Sequence, residues 1–286
     1  MDERILRLIA DSQFELDLYE AAVLNLHDQK NKLRFNNFAY AMRELAGHTL
    51  ARLAPDSEVR KCVWWKAKDE GVVHQVTRLE RAVFATQGGL SNFYVKKRLK
   101  LDFEESHLEL RNAIIRLSDY THIRVEVFGL SNEEITRLAE ETTEAVAGLM
   151  NSILVCRAAV ANSLSNAITD LAIQQVLSES LDAVDELATH YSLEEVYIDS
   201  HEVTSITADA VHIKASGTIE VTLQWGSNSD LRNGDGAEME ESFDFTSELT
   251  CTTPNPDPND LEYVENSVLV DTGSWHEEPE EWGDYP

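Results

Sequence analysis

Hydrophobic residues in roughly the first 190 positions recur mostly every three or four residues, the spacing of helices that bury one face. The clearest stripe consists of Phe38, Met42, Leu45, Thr49 and Leu53. Asn36 and Asn37 precede this stripe and Pro55 follows it, so they predict a helix that begins at the asparagines and ends before the proline. Another helix is predicted from about Ser12 to His27.

Two capping-box pairs predict where later helices begin. Asp102 and Glu105 have this spacing, and hydrophobic residues then follow a helical pattern as far as Leu117. Ser131 and Glu134 open a region of about 55 residues without proline. Because one helix of that length would be several times longer than a domain radius, we expect a break near 162–166 and two helices rather than one.

From about Glu194 hydrophobic residues alternate with polar ones, as in half-buried strands. Strands are predicted at 196–198, 211–213, 219–225, 242–246, 249–251 and 267–270. Ala215, Ser216 and Gly217 predict a turn, and the Ser-, Asn-, Asp- and Gly-rich segment 226–236 predicts a longer connection. The pattern favours an antiparallel meander of four or five strands.

Together these elements predict an α+β protein. An N-terminal all-α helical domain covers residues 1–190, and a small antiparallel β-sheet domain covers 191–273. Residues 274–286 form an acidic tail without lysine or arginine, which we expect to be disordered.

Charge is divided unevenly along the 286 residues, whose net charge is −28. Residues 1–130 hold 20 basic and 19 acidic side chains, whereas residues 131–286 hold 4 basic and 33 acidic ones. We therefore expect RNA or another single-stranded nucleic acid to bind the helical domain, and a basic protein partner to bind the acidic β domain.

The three cysteines lack a CxxC spacing and are odd in number, so we expect free, mostly buried thiols. No N-terminal signal segment is present, and no uninterrupted apolar run approaches the ~18–20 residues that span a bilayer. These features predict a cytoplasmic protein without membrane contact.

Arg116, Asp119, His122 and Arg124 crowd the end of one predicted helix and form the best candidate for catalysis. An arginine can hold a phosphate and a histidine can move a proton, which suits RNA cleavage without a metal. Asp119, one helical turn before His122, would orient its ring. Because positions six apart lie about 120° apart around a helix, the helix must end or bend before His122. The alternative is that the arginines are solvated or cap carbonyl groups at a helix end.

Arg43 and His48 form a second arginine and histidine pair. If their helix packs against the helix that carries Arg116, His48 and His122 would share one cleft, and Arg43 and His48 would bind nucleic acid. The alternative is that Arg43 and Glu44 belong to an exposed helix face.

Two further segments are candidates for nucleic-acid binding. The first is the basic run Lys96, Lys97 and Arg98, which can attract phosphate groups. The second is Trp64 and Trp65 among lysines, which either stack on bases or belong to a core. No cluster of metal ligands has a suitable spacing, since the residues Asp199 to Glu202 alternate between strand faces, so we expect neither a metal nor a cofactor.

The helical part resembles the HEPN superfamily, whose ribonucleases carry an arginine, four to six residues and then a histidine, as Arg116 and His122 do here. Longer segments resemble the predicted pPIWI-associating nucleases of prokaryotes. These are LRFNNFAYAMREL (33–45), RLAPDSEVRKC (52–62), YTHIR (120–124), IEVTLQWGSNSDLRNGDG (219–236) and VDTGSW (270–275). The resemblance implies a HEPN-like helical domain and an antiviral defence setting.

The leading hypothesis is therefore a component of a prokaryotic anti-phage defence system that acts as a metal-independent endoribonuclease or a nucleic-acid-binding effector. The resemblance also implies a homo-oligomer or defence-complex subunit, since HEPN-like sites are often completed across a dimer. The alternative is a non-enzymatic acidic interaction subunit that binds a basic partner or imitates nucleic acid.

Overall fold

The computed structural model describes residues 1–67 and 75–276. Its contacts divide the chain into two compact units. Of the described residues, the first unit comprises 1–67, 75–160, 206–210 and 253–255, and the second comprises 161–205, 211–252 and 256–276. N-terminal helices are followed by a small antiparallel sheet, which confirms the predicted α+β fold class. The domain limits derived from the sequence stay predictions.

The first unit is built around one central helix. Its helices are α1 Glu3–Ile9, α2 Gln13–His27, α3 Arg34–Leu53, α4 Asp56–Val59, α5 Arg78–Gln87 and α6 Glu104–Tyr120, followed by the first part of α7 (Asn132–Ser178). A π-helix at Tyr94–Arg98 and a 3-10 helix at Val125–Val127 lie between them. Helix α3 packs against α2, α5 and α6, and Phe38, Met42 and Leu45 of the predicted stripe are at most 1% exposed.

Two predicted helix starts are wrong. Helix α3 begins at Arg34 without a side-chain cap, and Asn36 is buried, where its amide donates to the Tyr120 carbonyl oxygen at 2.8 Å. Helix α6 begins at Glu104, whose backbone N–H donates to Asp102 Oδ1, instead of forming the predicted box. The box of Ser131 and Glu134 is confirmed, with bonds of 3.2 and 3.4 Å.

The predicted break near 162–166 is also wrong, because α7 is one helix of 47 residues. Asn and Ser are weak helix formers, but none of these residues is proline or glycine. The buried stripe also continues through the segment without a change of spacing, at Val160, Leu164, Ile168 and Ala172. Burial of this stripe outweighs the low helix propensity.

Among the residues that the structure describes, one stretch, 132–185, is long and apolar enough to cross a membrane by length and composition alone. Half of its most apolar window is buried inside the protein. A core helix of a soluble protein has the same properties, so the stretch is weak support for a membrane span.

In the second unit the sheet consists, within the described residues, of β1 His190–Ile206, β2 Ala210–Trp225, β3 Ala237–Thr252, β4 Leu261–Tyr263 and β5 Leu269–Asp271. The order is β1-β2-β3-β4, and β5 also pairs with β3. Both short strands are antiparallel to β3, with Thr250 opposite Glu262 and Phe245 opposite Val270. Buried residues of β2, mostly hydrophobic, alternate with more exposed and mostly polar ones, as predicted for a sheet with one buried face.

The predicted turn at Ala215, Ser216 and Gly217 is wrong, because these residues lie within β2. A Cβ atom on Gly217 would lie 1.9 Å from the carbonyl oxygen of Tyr197. Glycine therefore allows close backbone approach here and does not mark a turn. The predicted connection 226–236 does link two strands. It contains the short helix α9 Asn228–Asn233, while another short helix, α8 Asp182–Asp185, precedes β1.

The chain packs into the second unit as far as its last described residues. A 3-10 helix at Gly273–His276 places the Trp275 ring on the Trp225 ring with centroids 6.0 Å apart. Residues 277–286 of the predicted tail lie outside the described residues.

Candidate functional site at the end of helix α6

The predicted catalytic residues straddle the end of α6. The helix ends at Tyr120, and Thr121 follows as its C-cap, its hydroxyl donating to the Ser118 carbonyl oxygen at 2.8 Å. The helix thus ends before His122, as the spacing required. His122 and Arg124 are exposed, and neither side chain bonds to any other residue that the structure describes.

Arg43 reaches this helix end from α3. Its Nη1 donates to Thr121 Oγ1 at 3.2 Å, while Nε and Nη2 donate to Glu44 Oε1 at 3.1 and 2.6 Å. The guanidinium also lies 5.4 Å from the ring centre of Tyr40. An arginine from the central helix is therefore held beside the residue that immediately precedes His122.

Arg116 has different surroundings. Its Nη1 donates to Glu141 Oε2 at 2.9 Å, and Arg137 bonds the other oxygen of the same carboxylate at 2.7 Å. This pair borders an open groove of about 1170 Å³ that also contains Glu109, Glu140 and Glu144. Arg137 and Arg116 lower the pKa of the Glu141 carboxyl. A phosphate approaching Arg116 would meet these carboxylates first.

Asp119 is exposed and makes no hydrogen bond to His122. His48 is also exposed, but it contacts Phe14 edge-on with ring centroids 5.0 Å apart, on the side of α3 that meets α2. In the described parts of the chain no contact joins His48 to His122. The structure therefore brings Arg43, and not His48, to the end of α6.

The predicted nucleic-acid-binding run lies in the π-helix. Lys96 bonds Glu104 at 2.5 Å and lies 3.7 Å from Asp102. Lys97 and Arg98 are exposed and have no ion-pair partner within 1–67 and 75–276. Another arginine of the first unit, Arg34, is buried and donates to the Leu26 carbonyl oxygen and to Asn132 Oδ1, so its role is structural.

His107 is a buried residue that sequence reasoning missed. It is 4% exposed, and its Nε2 lies 2.8 Å from the Thr86 hydroxyl. Burial lowers the pKa of His107 from 6.5 to about 4, and Asp102 opposes this shift only in part. His107 lies four residues after Phe103 and three before Leu110. This helical spacing could have predicted that it lies on the buried face of α6.

The thiols are free and buried, as predicted. Burial raises the pKa of Cys62 and of Cys156 to about 12, so neither is a reactive thiolate at neutral pH. Within the described residues, no group of three or more His, Cys, Asp or Glu side chains is arranged to hold a metal ion.

Two family models with the description predicted pPIWI-associating nuclease match the chain, one over residues 7–146 and the other over 153–276. The chain belongs to the predicted pPIWI-associating nuclease family. This confirms the family resemblance, while the HEPN-like character of the helical part stays a prediction. No curated protein and no solved structure matches the chain.

Proposed function

We propose that this pPIWI-associating nuclease is a cytoplasmic endoribonuclease of a prokaryotic defence system, with its site at the end of α6. The proposal rests on the hydrogen bond from Arg43 to Thr121, which holds the Arg43 guanidinium beside the residue that immediately precedes His122 in the chain. Arg124 lies two residues after His122. Both side chains are exposed, so both can contact an RNA strand. The family description supports the nuclease activity.

In this site the ribose 2′-hydroxyl gives up its proton and attacks the adjacent phosphate, which forms a 2′,3′-cyclic phosphate and expels the 5′-oxygen of the next nucleotide; that oxygen takes up a proton and leaves as a hydroxyl. The protein therefore supplies proton transfer and charge stabilisation instead of a nucleophile. His122 is the general acid or base. Asp119 orients its ring once RNA is bound. We assign the phosphate first to Arg124, whose side chain has no partner among the described residues, with Arg43 beside it as a second cation although Arg43 is also paired with Glu44. Arg116 is the poorer choice, because besides its pair with Glu141 it borders a groove lined by further carboxylates.

The experiment is cleavage of mixed RNA in the presence of a chelator. We expect His122→Ala to lower the rate by about 100-fold or more, as for loss of a general acid or base. His27→Ala, which removes an exposed histidine at the end of α2, is the matched control and should retain the rate. Full activity of His122→Ala would refute the assignment. So would a loss of more than ~1 kcal/mol in its free energy of unfolding, because that would identify a structural histidine.

A second candidate function, an acidic interaction subunit, is favoured by a separate feature of the second unit. A groove of about 680 Å³ on β1, β2 and β3 is lined by the glutamates Glu194, Glu195, Glu220, Glu240 and Glu241. The described part of this unit contains only two basic side chains, Lys214 and Arg232. A basic protein of the defence complex would relieve the repulsion among these carboxylates.

Binding to such a partner should weaken steeply between ~50 and ~300 mM salt, because the Debye length shortens over this range. Neutralising Asp230, Asp235 and Glu238 should weaken it more than removing residues 277–286. If binding does not respond to salt, the acidic side chains of the second unit serve solubility and do not bind a partner. We also propose self-association through α7, and a monomeric mass in light scattering would contradict it.

A further inference from the structure

A small cavity of about 200 Å³ lies in the first unit between α5, the π-helix and the start of α6. Its walls include the aromatic side chains of Trp64, Phe103 and His107, with Val83 and Leu101 among the aliphatic ones. Sites for drug-sized ligands occupy about 300–1,000 Å³, so this cavity limits its occupant to one small ring system.

The cavity also contains polar groups that can read the edge of a ring. His107 is bonded through Nε2 to Thr86, and its Nδ1 has no partner among the described residues. The amide of Gln87 donates to Leu90 O and to Asn92 Oδ1, so Gln87 and Asn92 are held as one pair at the cavity wall. A neutral imidazole and two amides offer both donors and acceptors.

The charged residues that line the cavity are three carboxylates, Glu80, Asp102 and Glu104, and one lysine, Lys96, so its wall suits an uncharged ring better than a phosphate group. The carboxylate of Glu80 accepts the Thr77 backbone N–H at 2.7 Å in a helix cap, and Glu104 is paired with Lys96. The nearby Lys97 and Arg98 have no such partner in the parts of the chain that are described. Lys97 and Arg98 follow Lys96 in the π-helix but do not line the cavity, so any contact that they make with a phosphate lies outside it.

The backbone here is unusual as well. The π-helix Tyr94–Arg98 occupies a single turn, a form that often marks functional sites. Lys100 has φ +58°, in the left-handed region that favours glycine. A non-glycine residue held in this region is a local strain of the kind that collects at ligand sites.

We propose that this cavity binds one unpaired nucleobase of the RNA strand, which stacks on Trp64 while the phosphates of the strand stay outside the cavity, on the side of the exposed Lys97 and Arg98. This inference deepens the proposed function, since it names a base-binding site apart from the end of α6. Stacking on an aromatic ring accepts any base, and the edge groups of Gln87 and His107 add preference among bases.

The probe is a single-stranded 2′-O-methyl oligonucleotide with one central 2-aminopurine, compared with the same strand carrying an abasic position there. The 2′-O-methyl groups prevent attack by the 2′-hydroxyl, so binding is measured without cleavage. On the wild-type protein we expect quenching of 2-aminopurine fluorescence and about 10-fold weaker binding of the abasic strand, as for loss of one stacked base.

Val83→Phe should fill the cavity and abolish the quenching. The variant should bind both strands with the affinity that the wild-type protein has for the abasic strand. Trp65→Phe is the matched control, because Trp65 is the neighbouring tryptophan and does not line the cavity, and it should behave as wild type. Thermal unfolding of each variant checks that it folds.

Equal affinity of the wild-type protein for both strands would overturn the inference, as would unchanged quenching in a folded Val83→Phe protein. Either result alongside normal RNA cleavage would leave the proposed function intact. Base-dependent binding by a protein that cleaves no RNA would support the cavity and overturn the proposed function.

Discussion

The buried histidine at the base-binding cavity gives a pH dependence whose size follows from the structure. Burial favours the neutral ring of His107 and lowers its pKa from 6.5 to about 4. Between these values the unfolded chain binds more protons than the folded one, so stability falls as the pH decreases. A difference of 2.5 pH units at 1.36 kcal/mol per unit, reduced for partial titration, gives a loss of about 2 kcal/mol by pH 5 and about 3 kcal/mol by pH 4.

The perturbation is His107→Gln, which does not titrate and retains an amide that can bond to Thr86. Urea unfolding of the wild-type and variant proteins at several pH values between 7.5 and 4 gives the difference in their free energies of unfolding. Carboxylates that titrate in the same range affect both proteins and cancel in this difference. We expect wild type to lose about 3 kcal/mol more than the variant by pH 4. Parallel stability curves would refute the assignment of a buried, neutral His107.

Two pairs of substitutions, measured by urea unfolding, test the packing inside each of the two units. Glu15 is 2% exposed and paired with an arginine, so Glu15→Ala should cost about 3–5 kcal/mol, whereas exposed Glu20→Ala should stay within ~0.5 kcal/mol. Gly217→Ala should destabilise the second unit by about 1–3 kcal/mol, because the new Cβ would overlap the Tyr197 carbonyl oxygen. Gly47→Ala should stabilise α3 by about 1 kcal/mol, because apart from the adjoining helix backbone no atom of the described residues lies within 4 Å of the new Cβ, and alanine favours the helix. Equal effects within either pair would contradict the packing described.

Local patterns were sufficient for the type and order of the main elements. The stripe of α3 and the alternation in β2 report burial on one face, which depends on spacing alone. Two other kinds of inference were less reliable. The break near 162–166 was inferred from the length of a single helix compared with a domain radius, yet the buried stripe of α7 continues through this segment. Gly217 indicated a turn where glycine instead permits close approach of two strands.

The candidate site was only partly accessible from the sequence. The end of α6 before His122 followed from helix geometry. The contact between Arg43 and Thr121 joins residues 78 positions apart and depends on how α3 packs against α6, which no local pattern determines. The pairing of Arg116 with Glu141 across α6 and α7 depends on packing in the same way.

The proposed reaction of this protein is cleavage of RNA by attack of the 2′-hydroxyl, without a metal, at the end of α6. The most direct measurement uses a defined RNA with chelator present, beside the same strand carrying a 2′-deoxy sugar at the cleavage position. We predict that wild-type protein cuts only the RNA and leaves a 2′,3′-cyclic phosphate, and that His122→Ala cuts neither strand. Cleavage of the deoxy position, or cleavage that begins only when a divalent metal is added, would contradict the claim.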